Sequence, residues 1–153
     1  MGKYDLVEGV LKALGAEFFF DAVAIRPGKP AVFAICQGKP VFGLPGNPVS
    51  TMVTFQLFVT PAIDLLRGAE AHPLPLLEAR LGQALNERPG LTHFLPARIE
   101  WHGAEPHVSA LKWQGSGDIA ALAGANCFVV VPAEREKIAS GERVSVLLRK
   151  DVV

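Results

Sequence analysis

Val41-Phe42-Gly43-Leu44-Pro45-Gly46-Asn47-Pro48-Val49-Ser50 is the stretch whose reading decides the fold. Val41 to Leu44 have the apolar character of a buried strand and end abruptly at Pro45-Gly46. Asn47 stands at a helix N-cap position, with a side-chain oxygen able to accept from the first free N–H groups. Pro48 suits the first helical position, where a missing N–H costs nothing, and Ser50 falls in the first turn. The stretch predicts a strand, a tight turn and a helix start. Such a turn exposes backbone N–H groups and the positive end of a helix dipole, and both suit an anion. The same Gly, Pro and Asn chemistry also serves the commoner case, an ordinary strand-to-helix connection.

Upstream, Leu6, Val7, Val10, Leu11 and Leu14 follow helical spacing, with Asp5 placed as an N-cap and Gly15 as the stop. Ala16 to Ile25 reads as a strand and ends in Arg26-Pro27-Gly28-Lys29-Pro30, a loop that projects two cations. A solvated basic turn is the ordinary reading of such a pair. Ala31 to Cys36 and Val41 to Leu44 read as two more strands, turned around by Gln37-Gly38-Lys39-Pro40. That order allows the basic loop and the Pro45-Gly46-Asn47-Pro48 turn to meet at one sheet edge. Two cations beside a helix start would make an oxyanion site.

Downstream, Val49 to Leu66 is the longest helical pattern, with Pro61 expected to kink or interrupt it. Residues 69–75 read as a linker, and the character then changes. Leu76 to Ala84, Phe94 to Trp101, His107 to Trp113, Cys127 to Val131 and Arg143 to Leu148 read as short strands, with a turn or two of helix in Asp118 to Gly124. The expectation is an α/β part over residues 1–70 and a small all-β barrel or sandwich over residues 71–153.

Composition excludes several classes. The chain has 153 residues, half of them apolar, so a real core can form; Lys+Arg and Asp+Glu are 15 each. That balance argues against a generic nucleic-acid binder, and any anion site must be local. Cys36 and Cys127 each sit in an apolar run and read as buried reduced thiols. No apolar run approaches a membrane span by this reading, and no signal pattern opens the chain, so a cytoplasmic protein without a membrane partner is expected. His72, His93, His102 and His107 lack zinc-type spacing and read as surface or turn residues. There is no P-loop, dinucleotide loop or nucleophile elbow.

Several segments together resemble one family. Gly43-Leu44-Pro45-Gly46-Asn47-Pro48-Val49-Ser50 is similar to a highly specific motif of molybdopterin molybdenumtransferases, the MoeA and gephyrin E-domain type. Arg26-Pro27-Gly28-Lys29-Pro30 resembles the family's Lys-Pro-Gly-Lys-Pro, with arginine for the first lysine. Met1-Gly2-Lys3-Tyr4-Asp5 resembles the tail of a Gly-Gly-x-Ser-x-Gly-x-x-Asp segment. Gly115-Ser116-Gly117, Leu122 and Ala125-Asn126 resemble the signature of the C-terminal domain. Order and spacing agree across nearly the whole chain, apart from Asp118, which stands where the family usually has an apolar residue.

The resemblance implies the C-terminal half of a three-layer, MogA-like molybdopterin-binding α/β domain, followed by a C-terminal β-barrel. It implies insertion of molybdate into adenylylated molybdopterin with release of AMP in a magnesium-dependent step, by a homodimer. Asp5 falls at an acidic active-site position, with magnesium as its metal. Arg26 and Lys29 fall at cationic positions near phosphate or molybdate. Gly43, Pro45, Gly46, Asn47, Pro48 and Ser50 fall at the substrate-site turn, and Arg98 and Ser116 match C-terminal-domain residues that help to hold molybdate. Full family members are far longer, so the expectation is a C-terminal fragment with part of an active site, inactive alone and associating with a further copy or with the missing N-terminal part. An interaction or assembly module without catalysis of its own is the alternative.

Overall fold

A computed structural model describes residues 6–70, 73–115 and 117–149. The chain runs through helix α1 (Val7–Ala13), strands β1 (Glu17–Phe20), β2 (Ile25–Arg26), β3 (Val32–Cys36) and β4 (Lys39–Gly43), and helix α2 (Pro48–Thr54). A π-type turn (Phe55–Val59) joins α2 to α3 (Thr60–Leu66). The second half holds β5 (Leu76–Leu81), β6 (Leu85–Asn86), β7 (Thr92–His102), β8 (Glu105–Ala110), α4 (Ile119–Gly124), β9 (Cys127–Val131), β10 (Lys137–Ile138) and β11 (Arg143–Leu148).

The second half is a barrel. In order β7-β8-β5-β11-β9, each strand pairs with the next, and β9 pairs back onto β7 from His93↔Val131 to Ala97↔Cys127. The β5–β8 pairing is parallel and the others antiparallel, so this five-stranded barrel is mixed. Period-two alternation divides its side chains. Cys127, Val129 and Val131 join Leu81, Leu95, Val108, Val144 and Val146 in one buried cluster. Phe128, Leu147 and Phe94 point the other way and pack with Val49 and Val53 of α2 and Leu122 of α4. Both the α/β part and the all-β barrel expected from the sequence are present.

In the first half, β1, β3 and β4 form an antiparallel sheet in the order β1-β3-β4. Phe33 stacks on Phe42 at 4.7 Å and lies 5.9 Å from Phe20, whose ring reaches Phe58 of the π-type turn at 5.3 Å. This aromatic chain ties the sheet to the long helix. The expected strand over residues 16–25 divides in two, because Asp21 to Ala24 leave the sheet before β2. β2 pairs instead with the barrel, in parallel register with β7: Ile25↔Thr92 and Arg26↔His93.

Pro61 does not break the long helix. The π-type turn lies immediately upstream and includes Leu57, whose carbonyl the proline ring would otherwise meet; the widened turn relieves that clash. Pro48–Leu66 is thus a continuous 19-residue helix of mean hydropathy 1.5, long and apolar enough to cross a membrane by length and composition. This corrects the expectation that no segment approaches that length. One face is committed to the barrel. Val49, Ser50, Val53, Thr54 and Gln56 are buried, and Gln56 Nε2 donates to the carbonyl of Leu148 on β11.

Three smaller expectations change. Leu6, not Asp5, is the N-cap of α1, without a side-chain cap bond; Asp5 itself lies outside the described residues, as does His72. His93 is no surface residue but is 2% exposed within β7. The thiols are both free, but only Cys127 is fully buried, and Cys36 is half-buried.

Candidate functional site

The basic loop and the Pro45 turn do converge. Arg26, Lys29, Pro45, Asn47 and Ser50 line one cleft of about 560 Å³, together with Ile25 and, from the second half of the chain, Leu91, Trp113 and Gly115. The β2–β7 pairing brings the basic loop to the barrel rim. Gly28 sets its depth: at φ +112° its α-carbon faces Thr54 of α2, and a Cβ there would come within 2.6 Å of Thr54 Cγ2. Only a residue without a side chain lets the loop lie this close to the helix.

The helix start contributes differently from the sequence expectation. Asn47 is the N-cap, with extended backbone (φ −74°, ψ 130°), but its side chain makes no cap bond. Its carbonyl instead accepts from Thr51 N at 2.8 Å and Thr51 Oγ1 at 3.0 Å. Thr51 Oγ1 also reaches the carbonyl of Pro45, fastening the turn. The first-turn N–H groups of Val49 and Ser50 have no carbonyl one turn earlier to bond within the helix. Ser50 is only 4% exposed yet lines the cleft, and its hydroxyl has no hydrogen-bond partner among the described residues. Arg26 and Lys29 are exposed and, among the described residues, form no ion pair. Among the described residues, no carboxylate lines the cleft. Cations and free donors converging on one cleft are the electrostatics of an anion site.

The barrel side of the cleft is held by Asp118. Its carboxylate accepts from Ala121 N and from Gln114 N, both at 3.0 Å, which caps α4 and anchors the loop beside Trp113. These N–H donors hold the Asp118 carboxyl below the usual aspartate value. The departure from the family pattern at this position therefore supplies a capping group. Asn126, at the other end of α4, holds β7 like a strand neighbour: its side chain bonds Ile99 N at 2.8 Å and Ile99 O at 3.0 Å.

The other predicted site residues lie apart. Gly43 is on β4 beneath α1, where a Cβ would sit 3.1 Å from Val32 and 3.8 Å from Val7; its role there is packing. Gly46 is exposed with open space around it. Pro48 lines a separate apolar groove with Met52, Phe55 and Leu122. Arg98 is not brought to the cleft: it is an exposed β7 residue whose Nε donates to Glu100 Oε1 at 3.0 Å. Asp5 and Ser116 lie outside the described residues. The sequence reading missed Leu91 and Trp113. Leu91 gave no signal, and Trp113 appeared only as the end of an expected strand. Among the described residues no group of three His, Cys, Asp or Glu side chains is placed to hold a metal ion.

A family model described as the MoeA C-terminal region (domain IV) matches residues 78–148, and one described as a probable molybdopterin binding domain matches residues 1–65. The chain is 34% identical over 149 residues to the molybdopterin molybdenumtransferase of Staphylococcus aureus and 31% identical over 148 residues to that of Staphylococcus epidermidis. In each case 97% of this chain and 35% of the relative are covered, so the chain spans about a third of their length. Among solved structures it resembles the molybdopterin biosynthesis MoeA protein of Pyrococcus horikoshii, with a TM-score of 0.79 and 33% identity over 94% of this chain and 34% of that one. A molybdenum cofactor biosynthesis protein of Pyrococcus furiosus gives a TM-score of 0.70 at 26% identity, covering 96% of this chain and 55% of that one.

Proposed function

We propose that this chain, which belongs to the MoeA family of molybdopterin molybdenumtransferases, serves molybdenum cofactor biosynthesis by holding the oxyanion groups of the reactants in the Arg26–Ser50 cleft. The reaction is insertion of molybdate into adenylylated molybdopterin with release of AMP, in the cytoplasm. Residues 1–70 serve as the C-terminal half of the molybdopterin-binding domain and residues 71–153 as the barrel domain. The observation that carries the reading is the convergence of Arg26, Lys29 and Ser50 on one cleft that, among the described residues, has no carboxylate in its lining.

Each group has a distinct part. Arg26 offers a planar fork matched to two oxygens of a phosphate or molybdate, where a lysine would offer a point charge. Lys29 supplies that point charge from the far end of the same loop. The Ser50 hydroxyl and the N–H groups of the first turn of α2 donate to the remaining oxygens. Together they hold a dianion in a fixed orientation and offset the charge that builds on oxygen as the adenylate departs. Ser116 joins them on the strength of the family motif.

The described residues supply no set of magnesium ligands. Among the described residues, the cleft lining has no carboxylate and no group of three potential ligands is placed together. Asp5, the acid expected from the motif, lies outside the described residues, so no step is assigned to the metal. The complete reaction calls on a larger assembly, as a dimer or with further family domains. Val7 and Val10 on α1, its flanking Leu6 and Leu14, and Leu65 and Leu66 on α3 are exposed apolar side chains that such association would cover.

Calorimetric titration of the 153-residue chain with molybdate tests the reading. Saturable binding, weakened about tenfold by Lys29→Ala and less by Ser50→Ala, is expected. Identical isotherms for all three proteins would rule out the site.

A further inference from the structure

We propose that His93 holds a second proton at Nδ1 against the Glu87 carboxylate, and that loss of this proton as the pH rises weakens anion binding in the Arg26–Ser50 cleft. The proposal rests on the anion reading above and adds a means of regulating that site.

The contacts of the ring define where its protons sit. His93 is 2% exposed, and the Glu87 side chain beside it is only 25% exposed. Nε2 lies 3.0 Å from the Arg88 carbonyl, which can only accept, so Nε2 carries a hydrogen. In a neutral ring Nδ1 would then be a bare acceptor. Yet Nδ1 is buried 2.9 Å from Glu87 Oε2 and has no hydrogen-bond partner among the described residues. A bare acceptor nitrogen against a carboxylate oxygen at that distance is repulsive. A proton on Nδ1 turns the same contact into an ion pair. The contact is bent, which forfeits a directed hydrogen bond but not the attraction of opposite charges. At neutral pH an imidazole binds a proton far more readily than a carboxylate, so the ring holds it.

The neighbouring charges leave this pairing alone. Arg26 on β2 is exposed, β9 presents Val131 to His93, and Arg88 offers its carbonyl. The segment after β9 carries Glu134, Arg135, Glu136 and Lys137; Arg135 pairs with Glu142, and among the described residues none of the four pairs with His93.

The proton reaches the cleft in two ways. Residues 87–91 run from the pair to Leu91 of the cleft lining, tied otherwise by Glu87 N to the Glu136 carbonyl at 2.8 Å and Gly90 N to the Ala133 carbonyl at 2.7 Å. Without the proton Glu87 is driven from the ring towards solvent, and this segment loses a tie. Charge acts in the same direction. The protonated pair is neutral, whereas the deprotonated pair carries one negative charge a single strand away from Arg26. A new negative charge beside the cations of the cleft opposes a bound anion.

The experiment compares the full chain with Glu87→Gln, in which a side-chain N–H takes the place of the proton and satisfies a neutral ring at every pH. Sulfate is titrated calorimetrically at about pH 5.5, 7 and 8.5, a span that covers ordinary imidazole titration while sulfate stays a dianion. Molybdate is titrated at pH 7. Nitrogen NMR of the labelled imidazole reports both ring nitrogens. His93 is expected to carry two protons at the lowest pH and to lose that on Nδ1 by the highest, with sulfate affinity falling on the order of fivefold across the same step. Glu87→Gln should hold its affinity within about twofold over the whole span. A bare Nδ1 at the lowest pH overturns the proposal, as does a pH dependence equally large in Glu87→Gln. Sulfate affinity that does not change with pH overturns the regulation and leaves the anion site standing. No binding of sulfate or molybdate at any pH removes the anion reading, and the regulation with it.

Discussion

Arg26 and His93 are register partners: the parallel β2–β7 pairing sets the first cation of the basic loop beside a buried imidazole of the barrel. His93 Nε2 lies 3.0 Å from the Arg88 carbonyl, and Nδ1 lies 2.9 Å from Glu87 Oε2. The second contact is close but poorly aligned, so Nδ1 lacks a true hydrogen bond. The loop that His93 braces leads directly to Leu91 on the cleft wall. One buried residue thus supports both the strand carrying Arg26 and the loop that leads to Leu91.

That arrangement predicts a split between two neighbouring substitutions. His93→Ala removes a buried side chain and unpairs the Arg88 carbonyl, at a cost of about 2–4 kcal/mol of folding stability. Arg26→Ala, at an exposed position, should leave stability within about 0.5 kcal/mol while weakening molybdate or phosphate binding on the order of tenfold. Urea denaturation and calorimetric titration of both variants check the split; equal stability losses would contradict it.

Gly28→Ala is expected to be destabilising by about 1–3 kcal/mol, because the position has φ +112° and its Cβ would press on Thr54 Cγ2 at 2.6 Å. Thr54→Ser removes that methyl group. The double variant Gly28→Ala, Thr54→Ser should therefore recover the steric part of the loss and keep the backbone part. Chemical denaturation of the single and double variants separates the two.

Asp118 provides a pH dependence whose sign follows from its donors. Ala121 N and Gln114 N lower its folded-state pKa below the ordinary 3.8, so the unfolded chain takes up the proton first as pH falls. The contribution of Asp118 is present in full above about pH 4 and is lost as the pH drops through its folded pKa. Asp118→Ala should lower the thermal midpoint at pH 7 and flatten the acid limb of the midpoint-against-pH curve. A parallel downward shift at every pH would show that the carboxylate is not responsible.

Burial pushes the Cys127 thiol up to about 12, so it carries almost no thiolate at neutral pH. With a thiol-specific chromogenic disulfide at pH 8, Cys36 should react first and Cys127 only on the timescale of unfolding. Cys36→Ser should abolish the fast phase; a fast phase surviving in that variant would place the reactive thiol at Cys127.

Much of this was legible along the chain. Leu44-Pro45 marks the end of a strand region and Asn47-Pro48 the start of a helix because steric limits on proline and on the capping position act within a few residues. Cys127 to Val131 and Arg143 to Leu148 match the observed strands end for end, since apolar β-branched runs between turns carry their own boundaries. Pro61 misled because the π-type turn that accommodates it depends on helix packing, not on proline geometry alone. His93 misled for a similar reason. A lone histidine at the start of a strand carries no sign of burial until β2 and β9 close over it.

The sequence by itself determined the two-part organisation, the turn at Pro45-Gly46-Asn47-Pro48, the paired cations Arg26 and Lys29 and the absence of a broad basic face. Each of these is written in neighbouring residues. Tertiary structure alone decided that the loop and the turn share a cleft, that Leu91 and Trp113 join its lining, and that Arg98 stands elsewhere. Those facts depend on β2 pairing with β7 and on barrel closure through β7 and β9, contacts between segments far apart in the chain whose register no local pattern encodes.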